Sequence, residues 1–385
     1  MPDDPRDPFK NARRESGTQH LRGDDEDITM ILRLKDVRKS AKDWKTFSSD
    51  HPLKVSIHSE AGVRSVRQLP IEIDPPDHTD YRAIVEPLFA RPKEQGYMDD
   101  MRKLVDKEVE KILEAGTLEV VQNFSLPLQS RAMTRLFRMP DSAADEWISW
   151  GVHVFYDHSD DVEEGYYLEK YSARQLERAE REPGDDFFSL LNQAYFRGRK
   201  LTFAEKQGFA NVALAGGRDT VIHTVTSILV YFAEHPDRLD ALREHTDWIP
   251  AAVEEFVRFV SPLTSLTRTC PHAATVADRE LPDGGRVALC WASANRDEST
   301  FEDPDTIKLD RSPNPHIGFG FGPHACLGSQ HARLVIRCLL YSLVARVHRI
   351  ETLEIVPKFE KESSYTRQVG YEKALLRFQG LPENP

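Results

Sequence analysis

Ten residues, Phe319-Gly320-Phe321-Gly322-Pro323-His324-Ala325-Cys326-Leu327-Gly328, constrain this chain more than any other stretch. The glycines let the backbone turn tightly and approach something flat. The loop runs directly into Gln330 to Val344, an Ala-, Leu-, Val- and Ile-rich helical pattern. A thiol just before a helix feels the positive end of its dipole, and backbone N–H groups there can point at the sulphur. Both effects favour the thiolate, the form that binds metal. His324, two residues earlier, can donate to an anionic group nearby.

Three further stretches carry chemistry. In Asp74-Pro75-Pro76-Asp77-His78-Thr79-Asp80-Tyr81-Arg82, the prolines stop a loop and Asp77 stands where it can cap the following helix. His78 and Arg82 fall four apart on one helical face, two donors placed to clamp a carboxylate. An apolar pattern from Thr202 to Ala233 predicts one long helix containing Ala213-Leu214-Ala215-Gly216-Gly217-Arg218-Asp219-Thr220. Adjacent glycines inside a helix cost about 1 kcal/mol each relative to alanine, which suggests a use. Small residues admit a flat group close to the backbone and let the helix widen locally. Asp219 and Thr220 then set a carboxylate beside a hydroxyl, a pair suited to relaying protons. Arg218 either pairs with an acid or reaches solvent. Finally, Ala251 to Val260 places Glu255 and Arg258 three apart on one helical face.

The first stretch matches F-G-x-G-x-H-x-C-x-G at every fixed position, the haem-ligand loop of the cytochrome P450 family. The others resemble that family's D-P-P-x-H-x-x-x-R, A/G-G-x-D/E-T and E-x-x-R, in the family's order. The resemblance implies a mainly α fold with a small segregated β region, formed by residues 1–385 as a single catalytic domain. It implies a haem-thiolate monooxygenase carrying haem b, with Cys326 as the axial thiolate and metal ligand. By the same resemblance, Ala215, Gly216, Phe319, Gly320, His324 and Gly328 contact the cofactor, while His78, Arg82 and Arg268 hold its propionates. Asp219 and Thr220 become the catalytic proton-delivery pair. Glu255, Arg258 and a further arginine, Arg311 with Arg296 as runner-up, form a structural triad. Pocket-wall candidates are Val66, Gln68, Leu69, Leu263, Thr264 and Val369. A peroxide-driven peroxygenase and a haem-binding sensor are the competing readings, and Asp219-Thr220 argues against both.

The net charge of −12 argues against a nucleic-acid binder, because phosphate binding needs a basic face. The sequence offers no apolar run long enough to span a bilayer and no signal peptide, so no membrane partner is expected. Four cysteines without zinc-type spacing suit a reducing cytoplasm. The resemblance also implies O2, a small to medium organic substrate, and electrons from an external ferredoxin or flavodoxin with its reductase. Arg333 and Arg337 are expected to receive that partner.

Other elements read as follows. Residues 1 to 28 are expected to be a polar segment, partly ordered, with the family's first hairpin shortened or diverged. A strand is predicted at Ile28 to Leu34, a helix from Asp36, and a binding loop over 50–73 in which Arg64 and Arg67 are solvated. Helices are expected at 93–115, at 118–138 with a break at Pro127, at 142–157 and at 161–181. A strand is predicted at Leu263 to Thr269, a hairpin turn at Pro282-Asp283-Gly284-Gly285, and a loop tip at Val369-Gly370.

Overall fold

A computed structural model of the protein describes residues 4–22, 27–51, 66–152 and 166–382. The N-terminal part holds α1 (Lys10–Glu15), β1 (Thr18–Arg22), β2 (Asp27–Ile31) and α2 (Leu34–Lys42). A helical series follows: α3 (Asp77–Ala90), α4 (Gln95–Ala115), the short strand β3 (Thr117–Glu119), α5 (Leu126–Phe137), α6 (Asp141–Ser149), α7 (Tyr166–Arg181) and α8 (Phe187–Gln193). After a small hairpin, β4 (Tyr195–Phe196) and β5 (Arg199–Lys200), come α9 (Phe203–Gly216), α10 (Asp219–Glu234), α11 (Pro236–Glu244) and α12 (Ile249–Val260). The remainder is β6 (Ser265–Thr269), β7 (Ala274–Val276), β8 (Arg279–Leu281), β9 (Arg286–Cys290), α13 (Trp291–Ala294), α14 (Ser329–Arg346), β10 (Val347–Glu362) and β11 (Tyr365–Gly380).

The strands segregate from the helices. One sheet has the order β1-β2-β9-β6, with β2 parallel to β9 (Ile28 opposite Arg286) and β6 antiparallel to it (Ser265 opposite Cys290). The long β10–β11 hairpin pairs with β3 through Leu375 to Arg377. The main core lies between helices, with Trp147, Phe187, Leu214, Ile222 and Phe256 fully enclosed.

The N-terminal segment is better built than its polarity suggested. Phe9 is wholly buried and packs edge-on against Tyr365. Arg13 is buried as well, because its fork pairs with Asp7 at 2.8 and 2.9 Å and reaches Ser293 Oγ at 3.1 Å. The first hairpin is present as β1–β2.

Several boundaries differ from expectation for local reasons. Residues Val121–Ser125 form a π-helical turn, and Pro127 sits in the first turn of α5, where its missing N–H costs nothing. Helix α6 ends at Ser149, since Gly151 turns the chain at φ +75°, and residues 153–157 of the expected helix lie outside the described residues. The tight hairpin turn lies at Ala277-Asp278, both at positive φ, between β7 and β8. Pro282 to Gly285 instead leads to β9, which pairs with other strands. Val369 and Gly370 lie inside β11, with Gly370 opposite Lys358, so they are not a loop tip. Asp77 begins α3 but caps nothing; Asp74 does the tying instead, accepting from Ser48 Oγ at 2.5 Å and the Ser49 N–H at 2.9 Å.

Glu255 is the buried charge that fixes the second half of the chain. It accepts Arg258 Nε and Nη2, both at 2.8 Å, Arg311 Nε at 2.9 Å and the Lys308 N–H at 2.9 Å. Arg296, the runner-up, goes instead to Asp305 at 3.0 Å. Glu255→Ala would leave two buried guanidinium groups without their counter-charge, a loss of about 3–5 kcal/mol. The expected result is a clearly lowered midpoint in chemical denaturation, and an unchanged midpoint would deny Glu255 this role.

Candidate active site

The expected single helix over 202–233 is two helices. The chain breaks between Gly216 and Asp219, where Arg218 adopts φ −101° and ψ −77°. The break frees backbone groups, and one is recovered: the Gly217 carbonyl accepts Gln129 Nε2 at 2.5 Å. Added to Gly216, a Cβ would meet nothing within 4 Å, so open space lies beside that turn. Arg218 does not reach solvent. It is fully buried, donates through Nη2 to the Gly151 carbonyl and lies 5.5 Å from the Trp150 ring. Burial pulls its pKa down to about 10 despite the nearby Asp219.

Asp219 and Thr220 open α10. Burial pushes the Asp219 carboxyl up to about 6, opposed by His223 and Arg218. Thr220 Oγ1 donates to the Gly216 carbonyl at 3.2 Å, across the break, and Thr224 Oγ1 donates to the Thr220 carbonyl at 2.7 Å. His223, one turn after Asp219, was missed in the sequence. Its signal was a histidine four residues from an acid in an apolar helix. Gly370 of β11 packs onto it, since a Cβ there would lie 2.3 Å from His223 Nδ1.

The Cys326 loop is held from several sides. Its own N–H donates to the Phe319 carbonyl at 2.7 Å, and the Gly320 N–H to Ile317 at 2.9 Å. Gly322, at φ +74°, presses on α2, where a Cβ would sit 2.4 Å from the Ala41 carbonyl oxygen. Arg82 Nη1 donates to the Ala325 carbonyl at 2.8 Å. Cys326 is exposed, although protein crowds round it, so the thiol opens onto interior space. Burial raises its pKa, opposed by the N–H groups of Gly328 and Ser329 and by Arg82 and Arg333. The N–H groups at the helix end therefore favour the thiolate, as expected, but burial outweighs them.

Four basic side chains meet beside this loop. The His78 and His324 rings stand 4.3 Å apart. Burial, then Arg82 and Arg268, hold His78 down to about 4, and burial with Arg268, His78 and Arg82 holds His324 lower than usual. Both His324 ring nitrogens are buried without a hydrogen-bond partner among the described residues. Arg268 is buried too, and gives Nη1 to the Thr267 carbonyl at 2.7 Å. Two imidazoles and two guanidiniums around orphaned donors fit the acidic edge of a bound group. With an open-sided Gly216 and an interior-facing thiol, this donor set fits a haem.

Among the wall candidates, Val66 is half-buried, whereas Gln68 and Leu69 are buried. Their segment crosses α9 at Gly208, where a Cβ would lie 2.1 Å from the Arg67 carbonyl oxygen. Arg67 is not simply solvated, since it pairs with Asp50 and the Glu72 carbonyl. Arg64 lies outside the described residues. Thr264 is buried and engaged, donating to Glu360 at 3.1 Å and accepting from Arg367 at 3.0 Å, while Leu263 is half-buried. Val369 lines a cavity of about 300 Å³ beside Tyr231, Phe256 and Phe259. Arg333 is bound to Glu254 and Arg337 is half-buried against Met98.

Residues 157–371 match the cytochrome P450 family model. The chain is 31% identical over 349 residues to the beta-dihydromenaquinone-9 omega-hydroxylase of Mycobacterium tuberculosis, covering 85% of this chain and 68% of that one. The cytochrome P450 family is where this chain belongs. Linalool 8-monooxygenase of Pseudomonas putida is 26% identical over 90% of both chains. A solved carbohydrate active P450 is 44% identical and superposes with a TM-score of 0.94 over 97% of this chain and 98% of its own. This P450 is accordingly a haem monooxygenase with the P450 fold. No helix among its described residues is long and apolar enough to cross a membrane.

The raised Asp219 pKa gives a signed prediction. The folded state holds this proton where the unfolded chain has released it, so stability falls as pH rises through about 4 to 6. Asp219→Asn should remove that slope. In thermal denaturation the variant should gain on the wild type as pH rises through this window, whereas parallel curves would contradict the burial assigned to the carboxyl.

Proposed function

We propose that the protein binds haem b through the Cys326 thiolate and inserts one atom of O2 into a C–H bond of a carbohydrate. When bound, a thiolate-ligated haem supplies O–O cleavage and oxygen transfer. The chain's part is to hold the group, orient the substrate and move protons. His78, Arg82, Arg268 and His324 hold the acidic edge, and that convergence of basic groups is the observation that carries the reading. Ala215, Gly216, Phe319, Gly320 and Gly328 flank the cofactor. Asp219, with its carboxyl near pH 6, can carry a proton inward and be reprotonated, and Thr220 presents a hydroxyl beside it.

Two observations support a carbohydrate. The carbohydrate active P450 is alike in both sequence and fold. Gln68, an expected wall residue, is buried with its Nε2 lacking a partner among the described residues, a donor that a sugar hydroxyl would satisfy.

Electrons must come from a separate carrier, and the basic face suited to an acidic one is α2 rather than Arg333 and Arg337. Lys35, Lys39 and Lys42 are exposed on it, and Lys45 is exposed just beyond its end. Arg38 and Lys42 stand over the Phe321 ring of the Cys326 loop at 5.0 and 5.2 Å. Charge steers such encounters.

Three measurements test these points. The reduced protein under carbon monoxide should give a strongly red-shifted Soret band that Cys326→His abolishes; a histidine-like band in the wild type would defeat the thiolate assignment. Neutral mono- and oligosaccharides should shift the ferric spin state, with binding weakened about tenfold in Gln68→Leu, worth about 1.4 kcal/mol. Binding of terpenes or steroids but no sugar would overturn the substrate class. Reversing Lys35, Lys39 and Lys42 to glutamate should slow reduction by a ferredoxin without altering the substrate-induced spectrum, and an unchanged rate would move the docking face elsewhere.

A further inference from the structure

Adjacent carboxylates on α12 face different tasks. Glu255 holds Arg258 and Arg311, whereas Glu254 serves the Cys326 loop. Arg333 of α14 meets Glu254 in a two-pronged pair, Nε to Oε1 at 2.6 Å and Nη2 to Oε2 at 2.8 Å. His316 Nε2 lies 2.9 Å from Glu254 Oε2. The His316 Nδ1 accepts the Gly318 N–H at 3.1 Å, so the ring proton sits on Nε2 and points at Glu254. Arg333 also covers the Phe319 ring at 4.3 Å. One carboxylate thus ties His316 before Cys326 to Arg333 after it.

The pair is charged as well as structural. Arg333 covers the ring of Phe319, whose carbonyl accepts the Cys326 N–H at 2.7 Å, so its guanidinium stands against the residue that ties down the thiol loop, and the opposite charge of Glu254 partly cancels its field there. Both side chains are about one-third exposed, at 31% and 29%, so solvent screens the effect without removing it. Burial raises the Glu254 carboxyl, but His316 and Arg333 outweigh it and hold it down to about 2, so it is a full negative charge at neutral pH.

We propose that the Glu254–Arg333 pair, anchored by His316, sets how readily the cofactor bound at Cys326 accepts an electron, with Arg333 favouring reduction and Glu254 restraining it. This rests on the reading that Cys326 ligates a haem. Both are positioning residues, since neither reaches the reacting atoms.

Opposite signs make the inference testable. In the holoenzyme, the midpoint potential is read by spectroelectrochemical titration for the wild type, Glu254→Gln, Arg333→Gln, Arg333→Lys and the Glu254→Gln/Arg333→Gln double variant. Removing the acid should raise the potential and removing the base should lower it. The double variant should return toward the wild type. Arg333→Lys keeps the charge but loses the fork, so its potential should stay near the wild type, and it serves if Arg333→Gln does not fold. Shifts of the same sign, or none, with the red-shifted carbon monoxide band retained would overturn the inference and reduce the pair to a brace. A potential in Arg333→Lys as low as in Arg333→Gln would also overturn it. Absence of that band in the wild type would instead defeat the haem-thiolate reading itself.

Discussion

The carboxylate of Glu255 is the interaction on which the rest of this structure depends. A fully buried charge is stable only when paired and hydrogen-bonded, and Glu255 has two arginines and a backbone N–H. Arg258 spends its remaining donors on the carbonyls of Asn295, Pro304 and Thr306, and Arg311 on those of Glu302, Asp303 and Thr306. Irregular chain over 295–311 is thereby fixed without a helix or strand of its own. That segment leads directly to the Cys326 loop. The ion cluster thus braces the chain that delivers the thiol loop, while the loop's own contacts hold the thiol.

One physical rule governs both parts of the site: its ionisable groups are buried, and burial sets the direction of each shift. Burial lifts Asp219 toward the pH at which a carboxyl can exchange protons, and burial raises the Cys326 thiol above its ordinary value. The same desolvation lowers His78 and His324, which keeps them neutral donors beside two guanidiniums. Each shift has burial as its largest cause, and the neighbouring charges only modify it. The chemistry is tuned by where the backbone places these groups.

Much of this was legible in the sequence, because the informative features are local. A thiol in a Gly-Pro loop, an acid beside an alcohol after two glycines, and a His–Arg pair at helical spacing need no knowledge of distant residues. What could not be read depends on contacts across the chain. The split of the long helix requires Gln129, eighty-eight residues away, to take the freed carbonyl. Arg13 lay in a segment read only as polar, because Asp7 and Ser293 meet it only in the folded protein. Glu254 was hidden by its neighbour: the E-x-x-R spacing drew the reading to Glu255. Arg333 was read as a docking residue for the electron carrier, and its partner Glu254, seventy-nine residues earlier, could not be seen in the sequence. The loop tip expected at Val369-Gly370 failed differently, because a strand with irregular register cannot be told from a turn by composition.

The two halves of the site are also joined through the interior. Gln129 Nε2, which takes the Gly217 carbonyl at the helix break, lies 3.5 Å from His331 Nε2 on α14. His331 Nδ1 in turn lies 3.1 Å from Tyr97 Oη on α4. Burial holds His331 down to about 4, so the ring is neutral and carries one proton. With Gln129 donating to Nε2, that proton belongs on Nδ1 and points at Tyr97. The break beside Asp219 and the helix that follows Cys326 therefore share one buried polar bridge, built from side chains of α4, α5 and α14. A neutral histidine is suited to this place because it can accept on one side and donate on the other, whereas a charged one would have to be buried unpaired. Asp219 and Thr220 on one side and Cys326 on the other are linked by this bridge as well as by the apolar packing around it.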